Sequence, residues 1–185
     1  MSSTLLVVVA SVRPTRVGGA VADWAVAHAR ARSDFEVKVA DLRALALPVM
    51  DEPNHPRLRE YEYEHTKRWS AIVDDADGFV FVMPEYNHSY PGAFKNALDY
   101  LYLEWQGKPV GIVSYGGLAG GTRGVVALQP VLANFAMIGL KSNVEIQWVG
   151  QRIDDDGAFR SDARTDAVIE AQLDELTSLL RRLAR

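Results

Sequence analysis

Leu5-Leu6-Val7-Val8-Val9 and Phe79-Val80-Phe81-Val82-Met83 carry no polar residue at either parity. A strand with one wet face alternates apolar and polar residues, so runs apolar throughout belong to strands covered on both faces, as in a parallel sheet flanked by helices. Between and after them the period changes. Val17, Ala20, Val21, Trp24, Ala25 and His28 recur at helical spacing, and Phe35-Glu36-Val37-Lys38-Val39 then alternates as a strand. Leu47 to Pro56 holds three prolines and reads as a loop, and Leu58, Tyr61, His65, Trp69, Ile72 and Ala76 mark a long amphipathic helix with Pro56 suited to its first turn. Phe94, Ala97, Leu98 and Leu101 give the helix after the second apolar run. Pro109-Val110-Gly111-Ile112-Val113 is a fourth strand, followed by a helix with Val125, Leu128, Leu132 and Phe135 inward. Val144 to Val149 alternates as a last, edge-like strand, and Ile169, Leu173, Leu176, Leu180 and Leu183 mark the C-terminal helix. Five strands alternating with five helices predict a doubly wound α/β parallel sheet.

A length of 185 residues suits one domain over 1–185. The absence of cysteine removes disulfides, thiolate nucleophiles and cysteine-ligated metals from the possible chemistries. His28, His55, His65 and His88 fall on different elements, which argues against a metal site. A net charge of −4 without a strong basic cluster argues against nucleic acid as a partner. The apolar start lacks the basic flank of a signal peptide, and no stretch approaches the length of a membrane span, so no membrane partner and a cytoplasmic location are expected.

In doubly wound sheets ligands bind beyond the carboxyl ends of the strands. Three loops there have unusual compositions. The first, Ser11-Val12-Arg13-Pro14-Thr15-Arg16-Val17-Gly18-Gly19, offers hydroxyls, two guanidinium groups and backbone N–H groups at a helix N-terminus. That set fits a phosphate cradle, and it fits equally a polar surface loop with an exposed arginine pair and a capping hydroxyl. It matches neither the Walker loop nor the G-x-G-x-x-G fingerprint. The second, Pro84-Glu85-Tyr86-Asn87-His88-Ser89-Tyr90-Pro91, is stiffened by prolines and can present amides and a ring to a flat ligand. Tyr86 and Tyr90 also fit ordinary packing, and Lys95 with Asp99 fits a helix-surface ion pair. The third, Ser114-Tyr115-Gly116-Gly117 with Gly120-Gly121, lets the backbone approach a ligand closely, although flexibility alone would also explain its glycines.

Taken together the loops resemble the NAD(P)H-dependent FMN reductase family. Pro84-Glu85-Tyr86-Asn87 with Ser89, Pro91, Lys95-Asn96-Ala97 and Asp99 is similar to that family's P-E-Y-N-x-S-x-P-x-x-[LF]-K-N-A-x-D signature. Ser11, Arg13 and Arg16 resemble its S-x-R-x-x-[SR] phosphate loop. Ser114 to Gly117 resembles its third segment, and Asp51-Glu52-Pro53 with His55-Pro56 its loop after the second strand. The resemblance implies a flavodoxin-like five-stranded sheet in the order 2-1-3-4-5 and FMN as cofactor, with NADPH or NADH as co-substrate. It places Ser11, Arg13, Arg16, Val17 and Gly18 around the phosphate, Pro84, Glu85, Tyr86 and Asn87 beside the isoalloxazine, and Ser114, Tyr115, Gly116 and Gly117 on the pyrimidine side. Two departures are Ala10, where many relatives carry glycine, and Arg16, where many carry a hydroxyl, which would make the phosphate contacts more cationic.

By the same resemblance no side chain is catalytic. The flavin carries the chemistry, with backbone N–H groups of Tyr86–Asn87 and Gly116–Gly117 expected along its edge. Hydride would pass from the nicotinamide to flavin N5 and then to a small-molecule electron acceptor such as a quinone, free flavin, azo compound or metal oxyanion, by a ping-pong route. A homodimer or homotetramer is implied, for which Tyr100, Tyr102, Trp105 and Phe135 offer contacts unless they complete the monomer core. Two other readings stand: a flavodoxin-type electron carrier, and an α/β protein that binds a phosphorylated ligand without redox chemistry.

Overall fold

A computed structural model describes residues 2–184. Its sheet has β1 (Ser3–Val9), β2 (Phe35–Asp41), β3 (Gly78–Pro84), β4 (Pro109–Tyr115), β5 (Ile138–Gly139) and β6 (Val144–Ile146), and its helices are α1 (Gly18–Arg30), α2 (Leu42–Leu45), α3 (Glu64–Asp74), α4 (Gly92–Asp99), α5 (Thr122–Asn134) and α6 (Ala163–Leu183). All strand pairs are parallel, in the order β2-β1-β3-β4-β5, with β6 also pairing β4.

Strand alternation divides the core into two. Leu5, Val7, Val9, Val80 and Val82 face Val21 and Ala25 of α1 and Ile169, Leu173 and Leu176 of α6. Leu6, Val8, Phe79, Phe81 and Met83 face Trp69 of α3, Phe94 and Leu98 of α4, and Leu128 and Leu132 of α5. Both parities of β1 and β3 therefore leave water, which is why those runs contain no polar residue. Tyr100, Trp105 and Phe135 lie in the second of these cores, so of the four aromatics weighed as subunit contacts only Tyr102 is even partly exposed.

The last strand differs from its expected form. Instead of one strand over 144–149, two short pieces lie beside β4: Ile138–Gly139 next to Pro109–Val110, and Val144–Ile146 next to Val113–Tyr115. Ile112 falls opposite the gap, where Asn143 Oδ1 accepts its N–H (3.1 Å) and Gln172 Nε2 of α6 donates to its carbonyl (3.0 Å). Side chains thus replace the missing ladder bonds. Gln172 also accounts for Gly111, where a Cβ would stand 2.6 Å from the Gln172 Cδ.

The helix expected from Leu58 begins only at Glu64. Pro56 instead opens a 3-10 turn, Pro56–Leu58, that Arg59 ends in the left-handed conformation at φ 53°. Asn54 holds the carbonyl of Glu60, and Tyr61 donates to the buried Glu104 (2.8 Å), which keeps 59–62 out of a helix. The short α2, absent from the sequence reading, is one turn capped by Asp41, which accepts from the Arg43 amide.

Candidate functional site

The loops after β1, β3 and β4 meet at the carboxyl edge of the sheet, and specific contacts join them. The Ser11 hydroxyl lies 3.0 Å from the Tyr86 hydroxyl, linking the first loop to the second. A Cβ on Gly18 would fall 2.2 Å from the Tyr115 hydroxyl, so only glycine lets α1 start against the end of β4. The Glu85 amide donates to the Tyr115 carbonyl (3.0 Å), and the Glu85 Cβ lies 3.6 Å from where a Gly116 Cβ would stand, joining the second loop to the third.

The first loop is short of hydrogen-bond acceptors of its own. Val17 caps α1 without a side-chain bond, and the first turn has no acidic residue. Among the described residues the amides of Val12, Arg13, Thr15, Val17, Gly18 and Gly19 have no protein acceptor. Helix-start N–H groups left open in this way suit an anion.

The two arginines of this loop have different surroundings. Arg13 is exposed and forms no ion pair among the described residues. Arg16 is clamped in a two-pronged pair with Asp41 (2.6 Å for one prong) and also donates to the Ser11 carbonyl at 2.6 Å. The hydrogen bond from Arg16 holds the Asp41 carboxyl below the ordinary carboxylate range. Arg16 was expected to make the phosphate contacts more cationic; Asp41 neutralises its charge, and it braces the loop from behind.

In the second loop, Tyr86 and Ser89 exchange both backbone hydrogen bonds (2.8 and 3.0 Å), closing a turn with Asn87 and His88 at positive φ (50° and 67°). The Tyr86 amide is therefore unavailable to a ligand, and so is that of Gly116, which donates to the Ile146 carbonyl (3.1 Å). Of the four amides expected along a flavin edge, those of Asn87 and Gly117 have no acceptor among the described residues. Pro84 is buried at the end of β3. The carboxylate of Glu85, largely buried, holds both the side chain (2.6 Å) and the amide (3.2 Å) of Arg123, tying the loop to the start of α5. Arg123 also reaches His88 Nε2 at 2.8 Å.

In the third loop, the Ser114 hydroxyl is fully buried and donates to the Gly120 carbonyl (2.9 Å), so Ser114 supports the glycine turn from below and does not line the open face. The Tyr115 hydroxyl is buried without a hydrogen-bond partner among the described residues, and burial pushes its pKa up, keeping it a neutral donor. Lys95 and Asp99 form the expected surface pair at 2.6 Å.

Two neighbours of the site lay outside the sequence reading. Arg123 is one, since nothing in a linear pattern shows that it faces Glu85 across 38 positions. Trp148 had been placed inside a strand; it follows β6 in the left-handed conformation, half exposed, with its ring 3.8 Å from the Cβ position of Gly117.

The open amides of the three loops and the orphaned Tyr115 hydroxyl at the head of α1 fit a ligand with a phosphate at one end and a flat hydrogen-bonding edge, as FMN has. The sheet order and these loops define a flavodoxin-like α/β protein. The chain belongs to the NADPH-dependent FMN reductase family, whose model matches residues 3–148. It is 45% identical over 119 residues to an NAD(P)H-dependent FMN reductase of Schizosaccharomyces pombe, a match covering 63% of this chain and 60% of that protein. It is 32% identical over 132 residues to a 2-hydroxy-1,4-benzoquinone reductase of a Burkholderia species, covering 68% of this chain and 66% of that one. The chain thus spans about 60% of the length of the first curated relatives it matches. Its fold is that of the NAD(P)H:acceptor oxidoreductase FerB of Paracoccus denitrificans, with a TM-score of 0.75 at 23% identity, covering 97% of this chain and 98% of that one. No helix among the described residues is long and apolar enough to cross a membrane.

Proposed function

We propose that this chain is an FMN-dependent NAD(P)H oxidoreductase that passes two electrons to a small planar acceptor such as a quinone or azo compound. The observation that carries the reading is the uncapped start of α1 beside the orphaned Tyr115 hydroxyl, within a family whose model covers most of the chain. With a quinone the balance is NAD(P)H + H⁺ + quinone → NAD(P)⁺ + hydroquinone. FMN, when bound, supplies the two-electron redox chemistry.

The protein's own part is placement. The open amides after β1 and Arg13 hold the phosphate, the amides of Asn87 and Gly117 bond the ring edge, and Glu85 keeps the second and third loops in register through Arg123. No side chain is needed as acid or base in the reductive half. Nicotinamide and acceptor use the same open face in turn, which gives ping-pong kinetics. A second copy of the chain is proposed to cover the groove of about 790 Å³ next to the first loop, lined by Val12, Leu42, Leu47 and Val49 together with Arg43, Lys95 and Asp99. A cytoplasmic location accords with this chemistry.

Anaerobic spectra of the FMN-reconstituted protein before and after NADPH, with NADH in parallel, test the reading. Loss of the oxidised-flavin band near about 450 nm is expected. A bound flavin that neither nucleotide reduces would point to an electron carrier, and a protein that binds no FMN would undo the assignment of the loops.

A further inference from the structure

Large residues rarely adopt the left-handed conformation, and exposed tryptophans are uncommon on a polar surface. Trp148 combines both features, with φ 48° and 51% exposure. Three hydrogen bonds hold it to the third loop: its own amide donates to the Gly117 carbonyl (3.1 Å), the Val149 amide to the Gly116 carbonyl (3.2 Å), and the Gly116 amide to the Ile146 carbonyl (3.1 Å). The ring rests against Gly117, where it meets no competing side chain. Leu118, the next residue after Gly117, is 70% exposed, and Gln147 Nε2 donates to its carbonyl (2.9 Å). Because β6 runs parallel to β4, Trp148 emerges at the carboxyl edge of the sheet, on the rim of the candidate site.

We propose that Trp148 is a specificity-determining residue that forms an aromatic shelf for the electron acceptor and selects flat, fused-ring oxidants. The inference rests on the oxidoreductase reading above. An indole fixed at the rim offers a face to a planar ring, and an aromatic pair contributes about 0.5–1.5 kcal/mol beyond the area it buries. A compact, non-planar oxidant gains nothing from that face.

The test uses the full FMN-reconstituted chain and its Trp148→Gly and Trp148→Phe variants, assayed with NADPH and either a naphthoquinone or ferricyanide. Glycine relieves the left-handed backbone and removes a ring that is half in water, so Trp148→Gly retains the fold. Its KM for the naphthoquinone is expected to rise about three- to tenfold with kcat little changed. Trp148→Phe should restore most of the affinity, and ferricyanide turnover at saturating NADPH should match the parent in both variants. An unchanged naphthoquinone KM in Trp148→Gly, or an equal change with both oxidants, overturns the shelf. A fall in molecular mass with KM unchanged would assign the indole to a contact between subunits and overturns it as well. A parent that NADPH fails to bleach overturns both the oxidoreductase reading and the shelf, whereas a parent that bleaches beside an unaltered variant overturns the shelf alone.

Discussion

Arg13 and Arg16 are three residues apart in one loop, yet they have different tasks. Asp41 occupies the Arg16 guanidinium, whereas Arg13 has no carboxylate partner among the described residues. Arg13→Ala should therefore weaken FMN binding by about tenfold, the loss of one charge-assisted phosphate contact, and leave the melting temperature of the apoprotein unchanged. Arg16→Ala should do the reverse, lowering apoprotein stability by about 1–2 kcal/mol with a smaller effect on FMN, because the pair is only partly exposed and its carboxylate would be left behind. Equilibrium dialysis and denaturant titration separate the two, and equal FMN losses in both variants would contradict the division. The second effect also depends on pH. Arg16 holds the folded Asp41 carboxyl below its unfolded value, so the pair's stabilisation is complete above roughly pH 4 and disappears as pH falls through the lowered folded value. The stability gap between parent and Arg16→Ala should be constant from neutral pH down to about 4 and close in stronger acid. The signature Pro84 to Asp99 identified the second loop from residues alone, but a linear pattern cannot show that Arg16 pairs with Asp41 across 25 positions, or that the Ser114 hydroxyl turns inward to Gly120.

At the scale of elements, the strands and helices with strong periodicity were legible because burial on both faces left a mark at every position from Leu5 to Val9 and from Phe79 to Met83. The edge was less so. Leu140 to Asn143 interrupts the strand beside β4, and what makes the interruption tolerable lies 30 and 60 residues from the backbone groups it serves. Gln172 donates both to the Ile112 carbonyl and to the Ser142 carbonyl (2.7 Å), while the Glu175 carboxylate accepts the amides of Lys141 and Ser142 (2.9 Å each). Helix α6 therefore acts as a substitute strand over this gap. Asn143→Ala should leave the buried Ile112 N–H without an acceptor and cost about 1–3 kcal/mol, which for a chain of this size is a fall in melting temperature of several degrees. Asn143→Asp keeps an acceptor oxygen and should recover most of the loss. Calorimetry of the three proteins decides the matter, and an Ala variant as stable as the parent would show that the N–H finds another partner.

For the molecule as a whole, three loops drawn from three neighbouring strands share no covalent link, so a ligand that touches all of them ties β1, β3 and β4 together at their carboxyl ends. A ligand that binds only the folded chain stabilises it by mass action, about 2.7 kcal/mol at a hundredfold excess over Kd, or a rise in melting temperature of about 5–10 °C for a domain this long. Riboflavin has the same ring as FMN and no phosphate, so in the proposed placement it would engage the Asn87 and Gly117 amides and leave the start of α1 unfilled. At equal concentration riboflavin should therefore raise the melting temperature distinctly less than FMN. The difference between the two shifts measures what the first loop contributes. In Arg13→Ala the FMN shift should contract towards the riboflavin shift while the riboflavin shift stays as in the parent. Equal shifts for the two ligands in the parent would mean that the phosphate finds no site at the head of α1. A riboflavin shift that falls together with the FMN shift in Arg13→Ala would mean that Arg13 meets the ring, and the placement of the ligand would have to be reversed along the sheet edge.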